Sequence, residues 1–266
     1  MSVAECNFSF NGRHCLRDFG CFYIMEKNRP LSPETAFQTF EVSGNSGNLI
    51  YGDQRTFRTM EHKGMLYPMV TPASYADGMR LYRQISAWLR AGRRRLIWDF
   101  EPDRYLLAEV EDGIEYTESR WPDGGLTLTM RCQPYAYDVR EASASATITT
   151  GQSSVIELPL YTGEPAPVCV DIVNTGTAAI TSASVAVGPK CVMLAGGLAL
   201  ANGQKLKIDM EPPIGASIGD DSALPYATRF DYLEAGRSAN VTVTLTFAAS
   251  GTKSATARAH ARGRWI

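Results

Sequence analysis

The spacing of apolar side chains divides the chain into two textures, and the first is organised around Ser74 to Asp112. Tyr75, Met79, Tyr82, Ile85 and Leu89 recur at helical spacing, with Leu81 and Trp88 widening the stripe, so the pattern predicts one amphipathic helix. Ser74 stands at the N-cap and Asp77 follows three residues on, close to a capping box with a shorter acid. Gly92 falls where a left-handed C-cap would sit, and Arg90, Arg93, Arg94 and Arg95 gather at the negative end of the helix dipole. The period then changes to two: Leu96 to Phe100 alternates, Pro102-Asp103 supplies a type I turn, and Tyr105 to Val110 returns. A helix with one broad apolar face covers a sheet, and this hairpin is the nearest one. No second long helix is predicted.

Shorter periodic runs flank this block. Asn7 to Phe10, ending at Asn11-Gly12, and Gly20 to Met25 read as strands, whereas Asn28 to Pro33 holds two prolines and reads as an extended connection. Phe37 to Val42 alternates as a strand, and Ser43 to Gly47 is a loop that needs positive φ angles. Thr56 to Met65 is a polar strand with sparse apolar positions, which fits either an arm leaving its own domain or a solvated edge. Leu126, Leu128, Met130 and Cys132 face one side of a strand whose other side is Thr127, Thr129, Arg131 and Gln133, and Pro134-Tyr135 is expected to end it.

From about Arg140 the charges thin out, and short Ala-, Ser-, Thr-, Val- and Gly-rich segments take over. Val155 to Leu160, Val168 to Val173, Ile180 to Val187, Gln204 to Met210, Ala239 to Phe247 and Ala255 to Ile266 read as strands, and Asn202-Gly203 as a two-residue hairpin turn. The expected organisation is an α+β domain over 1–140, with β-sandwich-like sheets plus one long helix, followed by an all-β sandwich over 141–266.

Composition narrows the function. The net charge of −2 over 266 residues argues against a dedicated nucleic-acid binder. MSVAECNFSF has neither a basic start nor an apolar run, and the longest apolar stretch, Met193 to Ala201, is broken by Gly196-Gly197, so a soluble protein with no membrane partner is expected. The six cysteines form no CxxC pair; His14, Cys15 and Cys21 are their only cluster with a histidine, and buried reduced thiols are the simpler reading than a metal or disulfide.

Candidate chemistry is sparse. The three histidines are far apart, and no HExxH, GxSxG or phosphate-binding loop occurs. Glu109 and Glu111 share one face of a strand, as a glycosidase carboxylate pair or as solvated hairpin residues. Arg258, His260, Arg262 and Arg264 alternate with alanines, as an anion-binding row or as charge protecting an edge strand. Arg93 to Arg95 reads as a solvated helix end. Tyr226, Phe230 and Tyr232 are the densest aromatic group of the second half, either core or the platform of a carbohydrate-binding or host-receptor-binding module, the alternative function. The residues thus point to no enzyme, no cofactor and no metal.

Motifs along nearly the whole chain resemble those of the distal tail proteins (Dit) of long-tailed phages with non-contractile tails, and of the related phage tail family. They begin with Phe8-Ser9-Phe10-Asn11-Gly12 and Asp18-Phe19-Gly20, and continue with Arg29-Pro30 and Val42 to Leu49, where Ser43, Asn45 and Ser46 replace the family's Pro and Arg-Asp pair. The strongest block holds Trp88-Leu89, Leu96-Ile97-Trp98-Asp99, Asp103-Arg104-Tyr105 and Ala108, and Cys132 to Tyr137 is similar to the family's close of its first domain. Leu206 to Asp209, Leu233 to Gly236 and Arg262 to Trp265 resemble motifs of the galectin-like sandwich that follows, without the His-x-Asn-x-Arg sugar signature.

The resemblance implies a structural virion protein at the distal end of the tail, synthesised in the host cytoplasm. It implies a homohexameric ring, the baseplate hub, that joins the tail-tube protein and tape measure to a tail-associated lysozyme or fibre or to receptor-binding proteins, with DNA passing through the bore. A ring needs two complementary faces on each subunit, so an arm from about Asn28 to Met69 is expected to embrace the next copy. Arg55, Phe57, Arg58, Met60 and His62 are its interface candidates.

Overall fold

The computed structural model describes residues 7–26, 30, 32–36, 39–41, 48–50, 56–117, 124–149 and 153–266, with backbone alone at 36, 39–41, 48–50, 56, 57 and 112. The chain is mostly β. It divides into two compact units, one ending at Val139 and the other spanning Arg140–Trp265.

In the first unit an antiparallel sheet runs in the spatial order Arg13–His14, Phe8–Phe10, Arg94–Trp98, Arg104–Thr117, Gly125–Asp138, Met60–Pro68, Cys21–Met25. Asn11 and Gly12 turn with φ of 48° and 76°, the left-handed pair that a two-residue hairpin requires. One face of the sheet carries Phe8, Phe10, Leu96, Trp98, Leu106, Leu126, Leu128 and Met130, all buried. The helix Tyr75–Leu89 shares this core and buries Gly78, Tyr82, Ile85, Trp88 and Leu89. Ser74 Oγ accepts the Asp77 N–H at 3.2 Å and donates to the Asp77 carboxylate at 2.7 Å, so the cap forms as its residues predict. Tyr75 lies outside the buried stripe, and the helix ends at Arg90; Gly92 takes its left-handed φ of 73° in the following turn.

The core of this unit is aromatic. Phe8 stacks on Trp88 at 5.8 Å and meets Tyr23 and Trp98 edge-on at 5.2 and 5.6 Å. The Trp88 indole N–H donates to the Phe10 carbonyl at 2.8 Å, which satisfies the one polar group the ring brings inside.

Two strand readings change. Thr56 to Met65 is neither a solvated edge nor, beyond Met60, an arm: Met60–Pro68 lies inside the sheet, paired on both sides. Its low apolar content arises because His62 and Gly64 occupy core-facing positions between Met60 and Leu66. Nor does Pro134 end its strand. Gly125–Asp138 continues to its pairing with Arg104, and the ladder shifts register between Leu106 and Ala108, where Pro134, lacking an N–H, is carried in the irregular stretch.

The second unit packs two antiparallel sheets around one core. One has the order Ala142–Thr149, Ser254–Ala261, Ala166–Asn174, Lys205–Asp209, Gly215–Ile218, Asp221–Ser222. The other has Ser153–Leu158, Ala239–Phe247, Ile180–Val187, Lys190–Leu194, Ala227–Phe230. Here Ser254–Ala261 is an interior strand, not the protected edge expected: Ala255, Ala257, Ala259 and Ala261 face the core, and two neighbours flank it. Asn202-Gly203 turns, with Gly203 at φ 75°, but joins no hairpin, since the strands on either side of it in sequence, Lys190–Leu194 and Lys205–Asp209, belong to different sheets. Buried Asn174 holds this corner; its amide donates to the Ala178 and Leu200 carbonyls and accepts from Gly176 N–H, so the inward amide is satisfied.

Candidate assembly surfaces

Between Pro33 and Arg58 the backbone makes two small antiparallel ladders that belong to none of the three large sheets. Thr35–Ala36 pairs with Thr56–Phe57, and inside that pair Thr39–Glu41 pairs with Asn48–Ile50. The two nested pairs together make a short ribbon. Next to the outer pair, the Arg58 N–H donates to the Glu34 carbonyl at 2.9 Å, and the two exposed side chains make a long ion pair at 3.5 Å.

The five interface candidates fall in different places. Arg55 lies outside the described residues, and Phe57 is placed by its backbone in the ribbon. Arg58 is exposed. Met60 and His62 point into the first unit's core, opposite Cys132 and Met130, and the His62 ring sits 5.7 Å from Trp98. The loop Ser43 to Gly47 also lies outside the described residues.

The chemical candidates resolve into ion pairs and core. Glu109 faces Arg93 at 3.4 Å, and Glu111 is held by Arg131, which also approaches Glu61. Glu141 gathers Arg258, His260 and Arg262 at 3.2, 3.1 and 3.6 Å, and Asp171 holds Lys205 at 2.7 Å. A cavity of about 230 Å³ beside His260 is lined by Glu141, Cys169, Asp209 and Glu211. Tyr226 and Phe230 are packed against the core while Tyr232 is exposed, so the three rings do not form one exposed platform.

His14 and the two nearby cysteines act structurally. His14 Nδ1 accepts from the Leu16 and Arg17 N–H groups at 3.1 Å, capping the short helix Cys15–Phe19, and Nε2 lies 3.0 Å from Asp99. Burial, the largest cause, pushes the Cys15 thiol up to about 11 and the Cys21 and Cys132 thiols up to about 12, which keeps them protonated and unreactive near neutrality. Among the described residues, no group of three or more His, Cys, Asp or Glu is placed to hold a metal, and no helix is long and apolar enough to cross a membrane.

One surface was not anticipated from the sequence. On the outer face of the second sandwich sheet, Ser153, Thr244, Ser184 and Met193 form one cross-strand row, and Val155, Thr242, Ala186 and Cys191 form the next. The clue was present in the alternate positions of these strands, but the rows appear only once register is known.

No family model matches the chain, and no curated protein matches it in sequence. Solved structures do. The SPP1 Dit protein (gp 19.1), described as a paradigm of hub adsorption apparatus in phages infecting Gram-positive bacteria, has a TM-score of 0.68 at 14% identity, covering 98% of this chain and 99% of its own. The phage P2 baseplate in its activated conformation with Ca gives 0.52 at 9% identity over 93% and 92% of the two chains. The same baseplate with Sr gives 0.51 at 9% identity over 95% and 97%. The chain therefore has the fold of the distal tail proteins along its whole length.

Proposed function

We propose that the chain is a structural protein of the distal tail or baseplate of a phage, working by assembly and not by chemistry. The observation that carries this reading is the fold likeness to SPP1 Dit, which extends over both units and 98% of the chain. In this reading the first unit is the ring-forming domain and the second the galectin-like sandwich of that family. Six copies close a ring that links the tail tube and tape measure to the tail tip and its lysozyme, fibre or receptor-binding proteins, and DNA passes through the bore. The ion pairs at Glu109 and Glu111 support a structural role, because each candidate acid already has a cationic partner.

The ribbon of residues 35–57 is the arm of this proposal. An isolated two-stranded ribbon is marginal in water, so a ribbon outside the three large sheets suits one that finishes its packing on a neighbouring copy. The arm is tested by replacing residues 39–50 with a short Gly-Ser link, which leaves Met60–Pro68 intact. Imaging the purified protein at high concentration is expected to show rings for the parent chain and none for the shortened one. Rings of equal yield from both would reject the arm, and a chain that forms no ring and is absent from purified virions would reject the tail assignment.

A further inference from the structure

Two aromatic rings of the second unit stand side by side at its surface. Tyr161 is 65% exposed, and the half-buried Trp265 ring lies 5.2 Å from it, tilted by 48°. The Arg237 guanidinium sits 5.2 Å over the Tyr161 ring. Single exposed rings are ordinary on a protein surface, but here an aromatic pair and a planar cation share one spot. With so much of its area open, Tyr161 keeps ring surface that neither neighbour covers.

The backbone holds all three side chains in place. The Thr162 hydroxyl, next to Tyr161, accepts the Arg264 N–H at 2.8 Å, and the Gly163 N–H donates to the Arg264 carbonyl at 3.0 Å. These two bonds fix the residue before Trp265. The Arg237 Nε–H donates to the Thr162 carbonyl at 3.3 Å. A spot formed in advance gives up little freedom when a ligand arrives.

A groove of about 450 Å³, the size of a small-molecule site, begins beside it. Gly236 and Ser238, on either side of Arg237 in sequence, line the groove. Pro165 lines it too, and its carbonyl accepts from the Arg264 guanidinium at 3.0 Å. Within the groove Lys190 donates to Glu234 at 2.6 Å, which leaves further donors on the ammonium and further acceptor sites on the carboxylate. Asn240 adds an amide that both donates and accepts.

This chemistry selects a ligand. The faces of aromatic rings are electron-rich and attract the slightly positive hydrogens of C–H bonds. A cation would meet Arg237 over the ring, and a phosphate would meet Glu234 in the groove. A pyranose offers what suits both: a face of C–H bonds and a rim of hydroxyls that donate and accept. We propose that Tyr161, Trp265 and Arg237 bind an uncharged oligosaccharide, with one hexopyranose ring stacked on Tyr161 and the next passing into the groove. All of these residues belong to the second unit, so saccharide binding does not rest on the tail reading.

The test is saturation-transfer NMR on the purified full chain with trisaccharides of glucose, galactose, mannose and N-acetylglucosamine, each at about 5 mM, enough to reveal millimolar binding. At least one is expected to bind, with saturation strongest at the C–H protons of a single sugar face. Tyr161→Ala removes an exposed ring and spares the core, so it is expected to weaken that binding at least about tenfold without moving the melting curve. Arg237→Met keeps a long side chain, removes the N–H donors and is expected to weaken binding as well. Tyr75→Ala, at an exposed tyrosine of the first unit, should leave it unchanged. No binding of any of the four, affinity unchanged in Tyr161→Ala or Arg237→Met, or an equal loss in Tyr75→Ala would each overturn the inference. None of these outcomes touches the tail reading, which ring imaging and virion content decide.

Discussion

His14 joins two parts of the first unit that are far apart in sequence. Its Nδ1 accepts two helix N–H groups, so the proton sits on Nε2 and is donated to Asp99, eighty-five residues on. Nothing local announces this partner, which is why the sequence offers His14, Cys15 and Cys21 equally well as a ligand cluster. The thiols carry a pH prediction. A buried thiol held above its ordinary 9.0 leaves stability untouched below pH 9; as pH rises, the unfolded thiol ionises while the native one stays protonated. Stability is therefore lost from about pH 9 upward, until the native thiols titrate near 12. The expected slope is about 1.4 kcal/mol per pH unit for each such thiol. Urea midpoints at pH 8 and pH 10.5 should differ less in Cys132→Ala than in the parent chain. Equal differences would show that Cys132 is not held protonated.

Among the elements, the strand Met60–Pro68 shows why a correct pattern can be misread. Met60, His62, Gly64 and Leu66 face inward, but only two of the four look like core residues in the sequence. Gly64 is there because there is no room for more: a methyl group on it would overlap the Tyr23 ring and lie 2.5 Å from the Ile24 carbonyl oxygen of the neighbouring strand. Gly64→Ala is expected to destabilise the first unit by about 1–3 kcal/mol, read as a lowered melting temperature, whereas Gly113→Ala, with open space around it, should change little. A Gly64→Ala melt matching the parent's would contradict the close packing of Tyr23. The helix was more legible, because its cap, stripe and length agree within one segment. The Ser254–Ala261 strand was not: its alternation was visible, but only pairing with Ala142–Thr149 and Ala166–Asn174 distinguishes an interior strand from an edge.

For the whole molecule, the change of texture near Arg140 separates two cores of different composition. The first is rich in aromatic rings, and the second is built from Val, Ile, Leu and Ala on paired strands. Each unit buries a core of its own, so residues 140–265 expressed alone are expected to unfold in one cooperative transition with a β-type circular dichroism spectrum. A fragment without such a transition would mean that the second unit depends on the first. The ribbon of residues 35–57 was only half legible. Phe37 to Val42 alternates, but Asn48–Ile50 does not, and nothing in these residues states that the segments pair with each other and not with a large sheet.

The wedging of Phe8 between Trp88 and Trp98 has a practical side. Two indoles in one apolar nest give the first unit an internal dye whose colour follows water entry. The aliphatic core of the second unit holds no indole, and Trp265 is half-buried already. Light emitted by this protein therefore speaks mainly for the unit proposed to build the ring, and a loosening of the sandwich alone would pass almost in the dark.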